Sequence, residues 1–320
     1  MKALVTGAAG FIGSTLTDRL LSEGWNVRGA DSFTPYYDPA AKRANIGHLQ
    51  DVASFELCEV DLANTELAPL IDDVDVVFHL AGQPGVRLSW SDGFHDYSEA
   101  NIEVTQRLLE AVRERPLRRF VYASSSSVYG DVDTVPTDED HPTRPYSPYG
   151  VTKLAGEHLC SAYGRNFNVP TTSVRYFTVY GPRQRPDMAF HRLIEAALGG
   201  QSFPLYGDGK QIRDVTFVDD IVEATYLAAI TDLAAGTMMN AAGGDSMELL
   251  DVIKLAGELA GSPIDLDWRD AQPGDVRRTG GSVERARELL GWTPKIDLRA
   301  GIERQIAWHR SRAQTLPESN

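Results

Sequence analysis

Tyr149 and Lys153 stand four residues apart at the start of a segment with helical pattern, so they share one helix face. A cation beside a phenol favours the phenolate and lowers the phenol's pKa. A phenolate near neutral pH can take a proton from an alcohol. Taken alone, such a pair is common, and a plain surface helix is the better reading. It gains meaning from Ser124-Ser125-Ser126-Ser127-Val128-Tyr129-Gly130 at the end of the preceding expected strand. A hydroxyl there can share the hydrogen bond on a reacting oxygen. The competing reading of the serine run is a flexible polar loop, but strand ends of a doubly wound sheet are where ligands bind.

A second group suits phosphate. Gly7, Gly10 and Gly13 form a Gly-x-x-Gly-x-x-Gly loop with Phe11 and Ile12, between the first strand and the first helix. Glycines permit the tight turn and the close approach of backbone to a pyrophosphate, and the helix N-terminus adds free N–H groups. Asp31 follows at the end of the second strand. An acid there accepts from both ribose hydroxyls and repels a 2′-phosphate, which argues for NAD over NADP. Asp61-Leu62 closes the third strand and could flank the adenine. Leu80-Ala81-Gly82 closes the fourth and would pass under the cofactor. His79 reads as a buried strand histidine rather than a catalyst.

These residues need a frame, and the first 170 residues supply its pattern. Strands are expected at Ala3–Val5, Val27–Ala30, Phe55–Val60, Val74–Leu80 and Arg119–Ala123, with helices at about Gly10–Glu23, Asn101–Arg115 and after Tyr149. That alternation predicts an α/β Rossmann fold, a doubly wound parallel sheet with right-handed crossovers. A strand at Thr172–Phe177, a helix from Met188 to about Leu198 and a helix at Val218–Ile230 follow, with a smaller C-terminal α/β lobe from Ser246. The expected division is an NAD-binding domain at 1–174, with a returning segment at about 216–244, and a substrate lobe at 175–215 and 245–320.

Composition narrows the partners. The 320 residues carry a net charge of −14, which repels nucleic acid and anionic membrane. No apolar run approaches the roughly 20 residues that span a bilayer, and no signal peptide is visible, so a cytoplasmic protein is expected. Cys58 and Cys160 read as buried apolar residues in a reducing compartment. No Cys/His spacing resembles a zinc site, and no metal is expected. The polar tail from Ser311 to Asn320 is expected to fray.

In these segments the chain resembles the extended short-chain dehydrogenases/reductases, specifically their NAD-dependent sugar-nucleotide epimerases and dehydratases. The matches are Val5 to Gly13, Phe78-His79-Leu80-Ala81, Ser124 to Gly130, Ser147 to Lys153, Arg175 to Pro182 and Arg213 to Asp220. The resemblance implies Ser125 as catalytic hydroxyl, Tyr149 as base and Lys153 as its activator. It places Asn101 and Tyr176 with the cofactor residues, Asn101 as a structural asparagine, and implies a homodimer joined through the helices at about Asn101–Arg115 and Tyr149–Tyr163.

The same resemblance sorts the reactions. Family dehydratases carry Asp-Glu after the catalytic hydroxyl; Ser126 and Ser127 stand there, so dehydration is not expected. Most 4-epimerases of neutral hexoses carry Asn where Thr178 stands. Tyr36-Tyr37-Asp38-Pro39, Gly82 to Ser89, Gly181 to Met188 and Gln272 to Val276 look like the corresponding segments of UDP-glucuronate 4-epimerases. A uronate needs polar contacts for its carboxylate: Ser126, Ser127 and Thr178 offer neutral donors, and Arg185 or Arg87 charge. Arg213 and Arg192 are candidates for the UDP diphosphate, Tyr206 for a further substrate contact and Asp275 for the uridine ribose. For a lone arginine the competing reading is a surface ion pair; for Arg185 the nearby acid is Asp187. A neutral UDP-hexose 4-epimerase, a UDP-glucuronate decarboxylase and a non-catalytic NAD sensor remain as alternatives.

Overall fold

The computed structural model describes residues 1–243 and 246–315. Strand β1 (Lys2–Thr6) leads into helix α1 (Phe11–Ser22), then β2 (Asn26–Asp31), α2 (Pro39–Ile46), β3 (Phe55–Glu59), the one-turn α3 (Ala68–Ile71) and β4 (Val76–His79). Helices α4 (Phe94–Ser98) and α5 (Val104–Val112) are joined by a π-helical turn at Glu99–Glu103, and β5 (Arg119–Ser125), α6 (Pro148–Phe167) and β6 (Thr171–Tyr176) follow. The C-terminal half holds β7 (Thr178–Tyr180), α7 (Ala189–Gly199), β8 (Phe203–Tyr206), β9 (Ile212–Phe217), α8 (Val218–Ile230) and β10 (Thr237–Ala241). It ends with β11 (Ser246–Glu248), α9 (Leu249–Ala260), β12 (Leu266–Arg269), α10 (Glu284–Leu290) and α11 (Leu298–Thr315).

Seven strands form one sheet in the order β10-β6-β5-β4-β1-β2-β3, and every pair is parallel. This is the expected Rossmann α/β fold. Strands β4, β5 and β6 are buried along their whole length, because helices cover both faces of a parallel sheet. The strand order reverses between β1 and β4, and the crevice opens beyond their C-terminal ends. The segment after β9 returns to this sheet: α8 packs on α1, and β10 pairs with β6. The smaller lobe carries a three-stranded sheet, β11-β9-β7, and a two-stranded one, β12-β8. One apolar cluster joins the lobes, running from Val5 and Val121 through Phe190 and Ile194 to Ile253 and Ile302. A second, with Leu4, Val77, Leu108, Phe120 and Cys160, packs the opposite face of the main sheet under α5 and α6.

Three expectations need correction. The helix expected from Asn101 begins at Phe94, and its ladder widens into a π turn around Asn101. Cys160 is buried, but Cys58, on the edge strand β3, is only half-buried; both are free thiols. The tail expected to fray is helical as far as Thr315, and 316–320 lie outside the described residues. Among the described residues no helix is long and apolar enough to cross a membrane.

Candidate active site

Two adjoining cavities open at the C-terminal ends of the main sheet, and Tyr149 lies where they meet. The first is lined by Gly7, Gly10 to Gly13, Asp31, Asp61, Leu62, Leu80 to Gly82, Lys153 and Tyr176. The second reaches into the smaller lobe past Ser125 to Ser127, Thr178, Arg192, Tyr206, Arg213 and Asp275. Phe11, Ile12, Tyr149, Tyr176 and Arg185 line both.

The first cavity is shaped by the glycine loop. Gly7 has φ +70°, and a Cβ on Gly13 would lie 2.0 Å from the Gly7 carbonyl oxygen. Helix α1 therefore starts hard against the loop. No side chain caps it and its first turn holds no acid, so its N–H groups face the crevice. At the rim Asp31 is buried, and its carboxylate accepts from Ala9 N at 3.1 Å, Phe33 N at 2.8 Å and Lys42 Nζ at 3.2 Å. That commits three of about four acceptor sites on the carboxylate and pairs its charge. An uncapped helix end over a glycine cradle, with a paired carboxylate at the ribose position, fits a dinucleotide. Asn101 stands behind the crevice rather than in it. Its Oδ1 accepts from Gln83 N at 2.8 Å, and its Nδ2 donates to Gln83 O and Thr152 Oγ1 at 3.0 Å. It fixes the loop after β4.

The Tyr149 helix is set by local rules. Ser147 caps α6 by accepting from Gly150 N at 3.1 Å, Pro148 fills the first turn, and Asn168 ends the helix at φ +58°. A Cβ on Gly150 would lie 2.5 Å from the Ser127 carbonyl oxygen, so this glycine lets α6 rest on the serine run. The Ser125 hydroxyl then hydrogen-bonds the Tyr149 phenol.

Burial and nearby charge both act on the site. Burial pushes the Tyr149 phenol up; the Ser125 hydrogen bond and the charge of Arg185 pull it down. Lys153 stands one turn along α6 from Tyr149. Its Nζ lies over the Tyr122 ring, 4.9 Å from the centroid, and faces Gly82. Burial pushes its ammonium down to about 8. His79 is buried with both ring nitrogens engaged, by Thr6 Oγ1 and Thr105 Oγ1 at 2.9 Å, and burial pushes it down to about 3. It is a neutral structural residue.

The arginines separate into three positions. Arg185 is bound in a fork by Asp187 at 2.9 and 3.0 Å, as the ion-pair reading anticipated, yet its charge also acts on Tyr149. The pair and the cavity contact coexist. Arg87 pairs with Asp275 at 2.9 Å and stacks on Tyr206, 4.0 Å from the ring centroid. That draws its charge to the Asp275 end of the cavity, away from the uronate role considered for it. Arg213 and Arg192 have no carboxylate in ion-pair contact among the described residues, and burial lowers the Arg213 guanidinium.

Two contributors, Lys42 and Glu157, escaped the sequence reading, and a third, Tyr36, entered it only within the segment Tyr36-Tyr37-Asp38-Pro39. Lys42 holds Asp31. Tyr36 hydrogen-bonds Asp187 and lines both cavities. Glu157 of α6 forms a buried fork with Arg175 of β6 at 2.8 Å. Of the two missed residues, Glu157 carries a sequence signal, one turn beyond Lys153 on the same face.

A doubly wound dinucleotide-binding fold with Ser, Tyr and Lys at its crevice defines the short-chain dehydrogenase/reductase class. The chain belongs to the NAD dependent epimerase/dehydratase family, whose model matches residues 3–242. It is similar to a UDP-glucuronic acid 4-epimerase from Bacillus cereus, solved in complex with UDP-glucuronic acid and NAD. The TM-score is 0.94 at 42% identity, over 98% of this chain and 100% of the other. It is 42% identical over 312 residues to the uncharacterized UDP-glucose epimerase YtcB of Bacillus subtilis, covering 96% of this chain and 98% of that protein. It is 32% identical over 317 residues to the UDP-glucuronate 4-epimerase of Thermodesulfobacterium geofontis, covering 98% and 97%.

Proposed function

We propose that the chain is an NAD-dependent UDP-glucuronate 4-epimerase. The observation that carries the sugar assignment is the set of donors beside Tyr149: Ser126, Ser127 and Thr178 on two adjoining strand ends, with Arg185 next to the phenol. Its similarity to the Bacillus cereus enzyme points the same way. NAD, when bound, accepts and returns hydride. The chain's own residues do the rest. Tyr149, hydrogen-bonded by Ser125, takes the C4 hydroxyl proton and returns it to the epimeric oxygen. Lys153 supplies positive charge along the cofactor groove. Arg213 and Arg192 offer unpaired charge to the diphosphate.

A C4 ketone next to a C5 carboxylate is a β-keto acid, which loses CO2 when the C–C bond aligns with the carbonyl π-system. Neutral hydroxyl donors, with Arg185 already neutralised by Asp187, hold the carboxylate without forcing that alignment. The same neutralisation supports a second reading, a neutral UDP-hexose as substrate. Helices α5 and α6 are the proposed subunit interface of a homodimer, with Val151 and Phe167 of α6 exposed.

Tyr149→Phe tests the assignment of the base. It removes the hydroxyl and keeps the ring, which packs edge-on against Tyr97. A loss of turnover of roughly 10²–10⁴-fold is expected with UDP-glucuronate. Retention of more than about a tenth of the activity would remove Tyr149 from the role.

A further inference from the structure

We propose that His191, Glu195 and His309 bind a divalent transition-metal ion of the zinc type. His191 and Glu195 lie one turn apart on α7, and His309 comes from α11, which packs across it. Each offers one ligand atom, and these atoms lie within 4.8 Å of one another. None of the three lines the cavities at Tyr149, so the cluster is separate from the sugar site.

The hydrogen bonds fix where the electron pairs point. His191 Nδ1 lies 2.7 Å from the Gln184 carbonyl oxygen, which only accepts, so Nδ1 carries the hydrogen. In the neutral ring Nε2 then presents a lone pair. It faces Glu195 Oε1 at 3.1 Å, a second electron-pair donor. His309 Nε2 is buried and has no hydrogen-bond partner among the described residues. A proton on His191 would satisfy Glu195 and leave His309 bare. A metal cation satisfies all three. Donation from Nδ1 to a backbone carbonyl is also how metal-bound imidazoles are oriented.

Two imidazoles and one carboxylate with an open fourth position suit zinc, whose ligand distances are about 2.0–2.2 Å. The donors would have to draw inward, and Glu195, with 54% of its side chain exposed, is free to swing. The ion would then tie α11 to α7 and to Gln184. Gln184 is itself buried. Its Nε2 donates to Val179 O at 2.8 Å, and its Oε1 accepts from Gln305 Nε2 at 3.0 Å. The site would brace the loop that carries Arg185.

The full chain, made without a polyhistidine tag and treated with a chelator, can be titrated with Zn²⁺ and Co²⁺. One tight Zn²⁺ per chain is expected, with a raised unfolding temperature and a tetrahedral Co²⁺ absorption spectrum. His309→Ala and Glu195→Ala should each weaken Zn²⁺ by more than the roughly 10–100-fold that outer-shell partners contribute, and should abolish the rise. Glu195 is at the surface, so its variant controls for misfolding. No bound ion, or equal affinity in all three proteins, would overturn the proposal. Metal content does not depend on turnover, so that failure would leave the reading of the reaction untouched.

Discussion

Burying an ammonium group costs stability, and Lys153 is buried. Its folded pKa of about 8 lies below the 10.5 of an ordinary lysine. Between those values the unfolded chain binds a proton that the folded chain lacks, so the wild type gains stability as pH rises from 8 to 10.5. Lys153→Met should therefore stabilise the cofactor-stripped chain at neutral pH, by an upper bound on the order of 3 kcal/mol. The advantage should shrink above pH 8, and turnover should fall. Urea unfolding at several pH values measures this; a variant less stable than wild type at pH 7 would contradict it. Arg185 is proposed to meet the substrate. Arg185→Ala should weaken UDP-glucuronate by about 1.5–3 kcal/mol if a charge-assisted bond is lost, and leave UDP-glucose nearly unchanged. The same variant should release some UDP-xylose, because a looser carboxylate can rotate into line for CO2 loss. Because Arg185 also acts on the Tyr149 phenol, turnover falls for both sugars and affinity decides it; equal losses of binding, or none, would end the claim that Arg185 selects the uronate.

At the scale of elements, α1 and α6 bring the chemistry together, and each depends on a glycine where it meets a strand end. Gly13→Ala would put a Cβ 2.0 Å from the Gly7 carbonyl oxygen. The glycine loop and α1 would have to separate, so NAD retention should be lost while the fold persists. Cofactor content after gel filtration reads this directly, and retention at the wild-type level would contradict it. These elements were legible in the sequence because their signals are local: the glycine spacing, the apolar β4, and the helical pattern after Tyr149. The partners of the key groups were not. Lys42 reaches Asp31, Arg185 acts on Tyr149, and His309 meets His191 only because helices far apart in the chain pack together. Spacing along a chain carries no information about such pairs. The π turn at Asn101 was hidden for another reason: a widened helix keeps nearly the same apolar periodicity.

For the whole molecule, the lobes share one apolar core, so the sugar cavity is framed by elements packed on the cofactor sheet. The net charge of −14 makes local arginines necessary for an anionic substrate, and Arg213 and Arg192 have the unpaired charge for it. Pairing α5 and α6 between two copies predicts a particle of twice 35.1 kDa by light scattering at micromolar concentration; a monomer mass would contradict the homodimer. One crevice is proposed to remove a hydride from C4 of UDP-glucuronate and return it to the other face. UDP-glucuronate carrying deuterium at C4, incubated with the enzyme as purified, tests it most directly. UDP-galacturonate that keeps the deuterium at C4 is expected, without added nucleotide. UDP-xylose as the main product, loss of the label to solvent, or unchanged substrate would contradict it.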